Sequence, residues 1–198
     1  MEAVQNYSEF QERLKKKYKK EERVVCILFM DPSNDDTMGS YIHSRFDYFD
    51  KRTGKYVDFF CPGFGYEGEK REFDVSNFVD FVTQIEDMTK WRYYGGTNLL
   101  IMRYSGGELC FDKVYDLNFT RMMIDGLITD HRRFLEDIIF SFRMSIDDFM
   151  HKQKLKRNMK TLWEDISEKL PEFITHTISR VKENIKLNKY FTPQDLRA

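Results

Sequence analysis

Cys61 has the most obvious chemical potential in this chain, because it ends a predicted strand beside Pro62 and a glycine-rich loop. Ligands of open α/β folds bind at that edge of the sheet. A reactive thiol needs a lowered pKa, usually from a helix N-terminus or a nearby cation. No basic residue follows Cys61 until Lys70, and Pro62-Gly63 opens no apparent helix. The pattern favours a small apolar side chain that closes a buried strand, with a reactive thiol as the alternative.

Carboxylates follow the first predicted strand at Asp31, Asp35 and Asp36, and Asp58 lies within the second. Such groups could hold Mg²⁺ with a phosphate substrate, since this ion takes one or two carboxylates plus waters. The same aspartates suit the N-cap and first turn of the next helix, where negative charge is favourable. Capping is the favoured interpretation, and we expect no metal and no other cofactor.

The loop at residues 63–68, Gly-Phe-Gly-Tyr-Glu-Gly, is rich in glycine but lacks the Gly-x-x-x-x-Gly-Lys-Ser/Thr pattern of phosphate-binding loops. No helix follows it directly to receive an anion. We expect Phe64 and Tyr66 to be exposed and to serve as a ligand lid or a partner contact. The candidate ligand pocket at this edge comprises Asp31, Asp36, Asp58, Cys61, Phe64 and Tyr66.

No recognisable catalytic constellation is present in the sequence. The four histidines have no metal-like spacing with each other or with a cysteine, and Gly-x-Ser-x-Gly is absent. We therefore assign no catalytic residue, and the sequence favours a protein that is not an enzyme.

The charge balance bears on nucleic acid as a partner. The 198 residues carry 32 Lys and Arg against 33 Asp and Glu, for a net charge of −1. Two basic clusters, at residues 13–23 and 152–157, lie in helical patterns and are typical of solvated helix faces. Binding to phosphate backbones is the alternative, but a pI near 6.4 argues against it as the main role.

The composition indicates a folded protein of a reducing compartment. The 18 Phe and 11 Tyr exclude an intrinsically disordered chain. The longest apolar run, residues 24–30, is far short of the roughly 20 residues that span a bilayer. No secretory signal is visible, and the odd count of three cysteines suits reduced thiols. We therefore expect a cytoplasmic protein without a membrane segment.

The predicted elements give an α/β fold. Helices are predicted from residue 8, over 37–50 and from 76; strands are predicted over 24–30, 55–60, 98–104 and 108–114. The run at 24–30 is apolar at every position, which is typical of a strand buried on both faces in a parallel sheet. The turn Ser105-Gly106-Gly107 predicts an antiparallel hairpin between the last two strands. We expect a mixed four-stranded sheet with flanking helices.

The chain from His131 onward is helical in pattern. We divide the molecule into an N-terminal helix at 1–22, an α/β core at 23–150 and a C-terminal helical appendage at 151–198. Apolar stripes on the appendage predict a surface for a protein partner or for self-association. The candidate residues on that surface are Leu155, Met159, Trp163, Ile166 and Ile178.

The order β-α-β-α-β-β-α over residues 23–149 resembles the thioredoxin-like fold. Redox members of that family carry Cys-x-x-Cys after the first core strand, where this chain has residues 31–36, Asp-Pro-Ser-Asn-Asp-Asp. They also have a cis-proline before the third core strand, where Gly95-Gly96-Thr97 stands here. The resemblance therefore implies a member without dithiol chemistry.

A second resemblance covers residues 46–65, FDYFDKRTGKYVDFFCPGFG, which are similar to uncharacterised bacterial proteins. That resemblance implies no activity, but it suggests a bacterial stress or phage-defence component. Three functions stay open: a non-catalytic binding or regulatory protein that docks a partner through the appendage, a nucleotide-ligand sensor or enzyme using the strand-end pocket, and a nucleic-acid-associated protein. We favour the first.

Overall fold

The computed structural model describes residues 1–19, 21–32, 37–52, 57–67, 70–140 and 193–198. Residues 131–140 are also helical and are called the 131–140 helix. The other elements, in chain order, are β1 (Glu2–Val4), α1 (Tyr7–Tyr18), β2 (Arg23–Phe29), α2 (Thr37–Ser44), α3 (Phe46–Arg52), β3 (Val57–Pro62), β4 (Phe64–Glu67), β5 (Lys70–Phe73), α4 (Val75–Met88), β6 (Asn98–Ser105), β7 (Glu108–Asn118) and α5 (Phe119–Ile124).

A five-stranded mixed sheet, in the order β1-β3-β2-β6-β7, forms the centre of the fold. The parallel pairing of β2 with β3 and the antiparallel hairpin of β6 and β7 confirm two predictions. The predicted count of four strands is too low, because β1 pairs in parallel with β3 and brings Ala3 opposite Cys61. β1 has only three residues, which is too short to give an alternating pattern in the sequence.

Helices cover both faces of the sheet. On one face, α2, α3, α5 and the 131–140 helix pack against alternate residues of β2 such as Cys26 and Leu28. On the other face, α1 and α4 pack against Val25, Ile27 and Phe29. β2 is therefore buried on both sides, as its uniformly apolar sequence predicts.

α1 belongs to the core, since Phe10 and Leu14 are buried in the same cluster as residues of the sheet. The helix starts at Tyr7, one residue before its predicted start at residue 8. The Asn6 side chain accepts a hydrogen bond from the Glu9 amide at 3.0 Å, and the Glu9 carboxylate accepts one from the Gln5 amide at 2.7 Å. These reciprocal bonds satisfy amides that a helix N-terminus leaves without intrahelical partners.

The glycine-rich segment after β3 is a hairpin, not a loop, because β4 and β5 pair antiparallel. Its entry requires glycine: Gly63 has a φ of 81°, and a Cβ there would lie 2.7 Å from atoms of both Phe73 and Phe78. α4 begins after Asp74, whose side chain accepts from the Asn77 amide, two residues before the predicted cap Ser76.

Most of the predicted appendage lies outside the described residues, including Leu155, Met159, Trp163, Ile166 and Ile178. Its last part, residues 193–198, is described and pairs with the edge of β7. In the described part of the chain, every helix is too short or too polar to cross a membrane.

Candidate functional site

Cys61 is fully buried at the end of β3, where its Sγ donates a weak hydrogen bond to Met1 Sδ at 3.5 Å. Residues from the start of the chain, from β2 and from the 131–140 helix share its apolar cluster. A thiol enclosed in this way cannot meet a solute without opening the core. The burial agrees with the interpretation of Cys61 as a packing residue.

Phe64 is 1% exposed, so the prediction of an exposed aromatic lid is wrong at this position. Its ring centroid lies 5.2 Å from that of Phe46 and 5.0 Å from that of Phe73. The reason is the β4–β5 hairpin, which folds Phe64 back on the helices instead of extending it into solvent. Tyr66 lies further along β4, opposite Arg71.

The predicted carboxylates do not form one site. Asp31 is partly buried just after β2, whereas Asp36 lies outside the described residues. Asp58 stands opposite Val25 in the β2–β3 register, six residues before Asp31. At about 3.3 Å per residue this places Asp58 about 20 Å from Asp31 along the strands.

Asp58 instead forms a polar cluster with α1 and β1. The Lys17 ammonium lies 2.5 Å from Asp58 Oδ1 and 2.5 Å from Glu2 Oε1. Burial alone would lower the pKa of Lys17, but these two hydrogen bonds outweigh it and raise that pKa above its ordinary value. Burial and the nearby Asp58 carboxylate raise the pKa of Tyr18. The cluster ties the end of α1 to two strands.

This pairing extends to the basic cluster at residues 13–23. Arg13 is bonded to Glu9 at 2.5 Å and lies 3.7 Å from Glu2, and Arg23 is bonded to Glu21 at 2.5 Å. Carboxylates of the same chain therefore pair with Arg13, Lys17 and Arg23 in this segment.

A different cluster, missed by the sequence analysis, lies on the opposite face of the sheet. We call it the Tyr–Arg patch and define it as Tyr41, Arg45, Tyr48, Arg52, Arg132 and Glu136. It is assembled from α2, α3 and the 131–140 helix, which pack side by side on the sheet.

Guanidinium groups stack on both tyrosine rings of the patch. The Arg45 Cζ lies 4.9 Å from the Tyr41 ring centre, and the Arg52 Cζ lies 4.4 Å from that of Tyr48. Arg132 approaches Tyr41 from the neighbouring helix at 5.6 Å. Each such contact contributes about 0.5–1 kcal/mol at an exposed site and holds a long side chain in one place.

Glu136 is the acidic member of the patch. It accepts a hydrogen bond from the Tyr41 hydroxyl and lies 3.9 Å from Arg45 Nη1. Burial and the adjacent Glu136 carboxylate raise the pKa of Tyr41 to about 12, so the phenol stays neutral and donates. Arg132 lies 3.7 Å from Asp130. Arg52 is paired with no carboxylate among the described residues, so its charge is the least compensated.

An apolar pocket of about 170 Å³ adjoins the Tyr–Arg patch. One side of it is formed by Tyr48, Phe49 and Arg52 of α3, and the other by Glu136, Ile139 and Phe140 of the 131–140 helix. The Phe140 side chain is 57% exposed although it is large and apolar. Aromatic side chains and arginine beside an open apolar recess are the residues enriched at the energetic centres of protein interfaces.

A sequence signal for the patch exists. Tyr41 and Arg45 are separated by four positions, as are Tyr48 and Arg52, and the two pairs are seven positions apart. Side chains four apart on a helix are neighbours. The repeated spacing therefore predicts stacked pairs, although it does not reveal that the 131–140 helix completes the patch.

Within the described residues, no three His, Cys, Asp or Glu side chains gather as a metal ion would require. Comparison of the chain with protein-family models, with curated proteins and with solved structures gave no significant match.

Proposed function

We propose that this chain is a non-catalytic binding or regulatory protein that docks an acidic segment of a protein partner on the Tyr–Arg patch. The observation that carries the proposal is Arg52, stacked 4.4 Å from the Tyr48 ring centre at the rim of an apolar pocket. Docking of a partner through the helices predicted after residue 150 remains a separate prediction.

Stacking prepares Arg52 for a carboxylate. A guanidinium whose plane lies on an aromatic ring keeps its N–H edge available for a bidentate bond to an acidic group. Little side-chain freedom is lost on binding, because the ring already restricts the arginine. A partner with Asp or Glu at this point therefore gains a charge-assisted hydrogen bond at low entropic cost.

The adjoining pocket supplies the apolar half of the recognition. Its walls include the half-exposed ring of Phe140 and the side chain of Ile139. Burying apolar surface contributes about 25 cal/mol per Å². The preferred ligand is therefore a segment in which an acidic residue stands next to a large apolar one.

Charge favours a protein ligand over nucleic acid. Arg45 and Arg132 of the patch lie near Glu136 and Asp130, and Arg13, Lys17 and Arg23 of the other described basic cluster are paired with carboxylates. Tight binding to a phosphate backbone requires several uncompensated cations in a row. Arg52 beside an apolar pocket suits a short acidic peptide better.

The sheet topology supports a related proposal, that the core is thioredoxin-like without dithiol chemistry. Three strands run parallel in the order β1-β3-β2, β6 pairs antiparallel with β2, and β7 pairs antiparallel with β6. The extra strand β1 extends the predicted element order to its N-terminal side. A role in bacterial stress or phage defence remains a prediction.

The experiment is selection of a random peptide library displayed on phage against the full-length protein. We expect enriched peptides to combine Asp or Glu with an adjacent Phe, Leu or Ile. Arg52→Glu should weaken their binding by about tenfold or more, which corresponds to about 1.4 kcal/mol. Phe140→Ser should weaken it by a similar factor.

Lys16→Glu is the matched control, since Lys16 is exposed on α1 and undergoes the same reversal of charge. It should leave the affinity within about twofold. Enriched peptides without acidic residues, or peptides that bind Arg52→Glu as well as the wild type, would contradict the proposal. So would a failure to enrich any sequence, or tighter binding of a mixed-sequence oligonucleotide than of the peptides.

A further inference from the structure

We infer that the groove holding residues 193–198 is a second peptide-binding site, occupied within the chain by its own C-terminal segment. We call it the tail slot and define it as the edge of β7 from Phe111 to Val114 together with Thr89 and Lys90. Its external ligand is an extended peptide of another protein that carries a leucine anchor and a second large apolar residue two positions later.

The contact is made mainly by backbone groups. The Val114 amide and carbonyl exchange hydrogen bonds with Gln194 at 2.9 and 2.8 Å, and the Leu196 amide donates to the Phe111 carbonyl at 2.8 Å. From the other side, the Lys90 amide donates to the Leu196 carbonyl at 2.9 Å. Addition of a strand in this way accepts any extended segment, because every residue except proline offers the same backbone groups.

The sheet has an irregularity where the slot lies. The β6–β7 register shifts between Ile101, opposite Tyr115, and Arg103, opposite Cys110. The β7 residues between those two partners are thus out of regular register with β6, as in a bulge. Buried backbone groups need partners, and the groups on the far side of this stretch find theirs in an added strand.

One side chain gives the segment its anchor. Leu196 is 5% exposed and joins the apolar cluster beneath α1 and α4. Its neighbours Asp195 and Arg197 point away from the core, are exposed and bond to each other. The segment is therefore held by four backbone bonds and one buried leucine.

An apolar groove of about 240 Å³ continues from the slot. Phe111 belongs to both, since its carbonyl binds Leu196 and its side chain lines the groove with Leu109, Met88 and Tyr104. The tail runs antiparallel to β7, so it proceeds from Val114 towards Leu109. The groove therefore lies ahead of Leu196 in the direction of the tail.

Residues 193–198 do not line this groove. In an extended peptide alternate residues share a face, so the residue two positions after the leucine lies on the same side as the leucine. Ala198 is exposed and has too short a side chain to fill the groove. A phenylalanine at this position would bury its ring against Phe111 and Leu109.

The unfilled groove explains how an external peptide competes with the tail for the slot. A segment of the same chain has a high effective concentration at its own site, so an external ligand must make contacts that the tail lacks. Occupation of the groove provides them.

The experiment uses fluorescence anisotropy with two labelled peptides and the full-length protein. The first peptide has the sequence of residues 192–198, Thr-Pro-Gln-Asp-Leu-Arg-Ala. The second is identical but ends in Phe. We expect the full-length variant Leu196→Asp, whose own tail loses its anchor, to bind both peptides, and the Phe peptide about fivefold or more tightly. The wild type should bind the Phe peptide about tenfold or more weakly than the variant does.

A Phe peptide with its Leu replaced by Asp is the matched control and should not bind. Equal binding of peptide to wild type and Leu196→Asp would overturn the inference, as would the absence of binding to the folded variant. The inference would also be overturned if both Leu196→Asp and Leu196→Ala failed to fold. A segment that an external peptide can displace must leave a folded core behind. If light scattering shows that the wild type forms dimers by exchanging tails, the external ligand of the slot is a second copy of this chain and not another protein.

Discussion

Tyr48 supports the guanidinium of Arg52 at 4.4 Å from the centre of its ring, one turn further along α3. A planar guanidinium can stack on an aromatic ring, whereas the ammonium of a lysine is compact and strongly hydrated. The relationship makes the shape of the cation, not only its charge, important at this surface.

The first prediction is that Arg52→Lys weakens binding of acidic peptides about threefold to tenfold although the charge is kept, because stacking and the bidentate geometry are lost. Tyr48→Leu should weaken it similarly by removing the platform. Isothermal titration of one selected peptide against each variant measures the effect.

Lys51→Arg is the control for this series, since it changes the neighbouring exposed residue between the same two types. It should leave the affinity unchanged. If Arg52→Lys binds as tightly as the wild type while Arg52→Glu does not, charge alone matters and the stacked geometry has no role.

Sequence reasoning placed the candidate site at the strand ends because buried strands, aspartates and glycines meet there in the chain. It could not foresee that β1 and Met1 would enclose Cys61, or that the β4–β5 hairpin would turn Phe64 into the core. Both depend on contacts between segments distant in sequence. The Tyr–Arg patch was accessible in part, through the spacing of Tyr41 and Tyr48 from their arginines, but Arg132 comes from a remote helix.

The partly buried carboxyl of Asp116 makes the stability of the protein depend on pH. Asp116 lies on β7 opposite Leu100, and burial raises the pKa of its carboxyl to about 6, although the nearby Trp91 side chain partly opposes this. The ordinary value is 3.8. Between these two values the unfolded chain has released the proton and the folded chain retains it.

The second prediction follows from the sign of this difference. Because the folded state binds more protons, the free energy of unfolding falls as the pH rises from about 4 to about 6 and then levels off. A shift of about two pKa units corresponds to about 3 kcal/mol as an upper bound. Asp116→Asn removes the titration, so the variant should be more stable than the wild type at pH 7 and the two should converge near pH 4.

Urea denaturation at several pH values between 4 and 8 measures this, with exposed Asp80→Asn on α4 as the control. The difference between wild type and Asp80→Asn should not vary with pH over that window. A difference between wild type and Asp116→Asn that is equally constant would show that Asp116 ionises normally in the fold.

Much of the sheet was predictable because its strands carry strong local patterns. The uniformly apolar β2 and the glycine turn between β6 and β7 are examples. β1 and the β4–β5 hairpin were not, since strands of three or four residues are stabilised by the partners they meet rather than by their own sequence. The helices α1 and α4 begin one residue before their predicted starts, where the side chains of Asn6 and Asp74 cap them.

The third prediction compares two glycines with similar backbones and different surroundings. Gly63 and Gly106 have φ values of 81° and 66°, so alanine at either position incurs left-handed strain of about 1–2 kcal/mol. A Cβ at Gly63 would also lie 2.7 Å from Phe73 and Phe78, whereas nothing lies within 4 Å at Gly106.

Overpacking in a core adds about 1–3 kcal/mol. Gly63→Ala should therefore destabilise the protein by about 2–5 kcal/mol and Gly106→Ala by about 1–2 kcal/mol, as measured by urea denaturation of each variant. If the two variants lose equal stability, the side chains of Phe73 and Phe78 move to make room for the extra methyl group. The contact with α4 would then not fix the position of the β4–β5 hairpin.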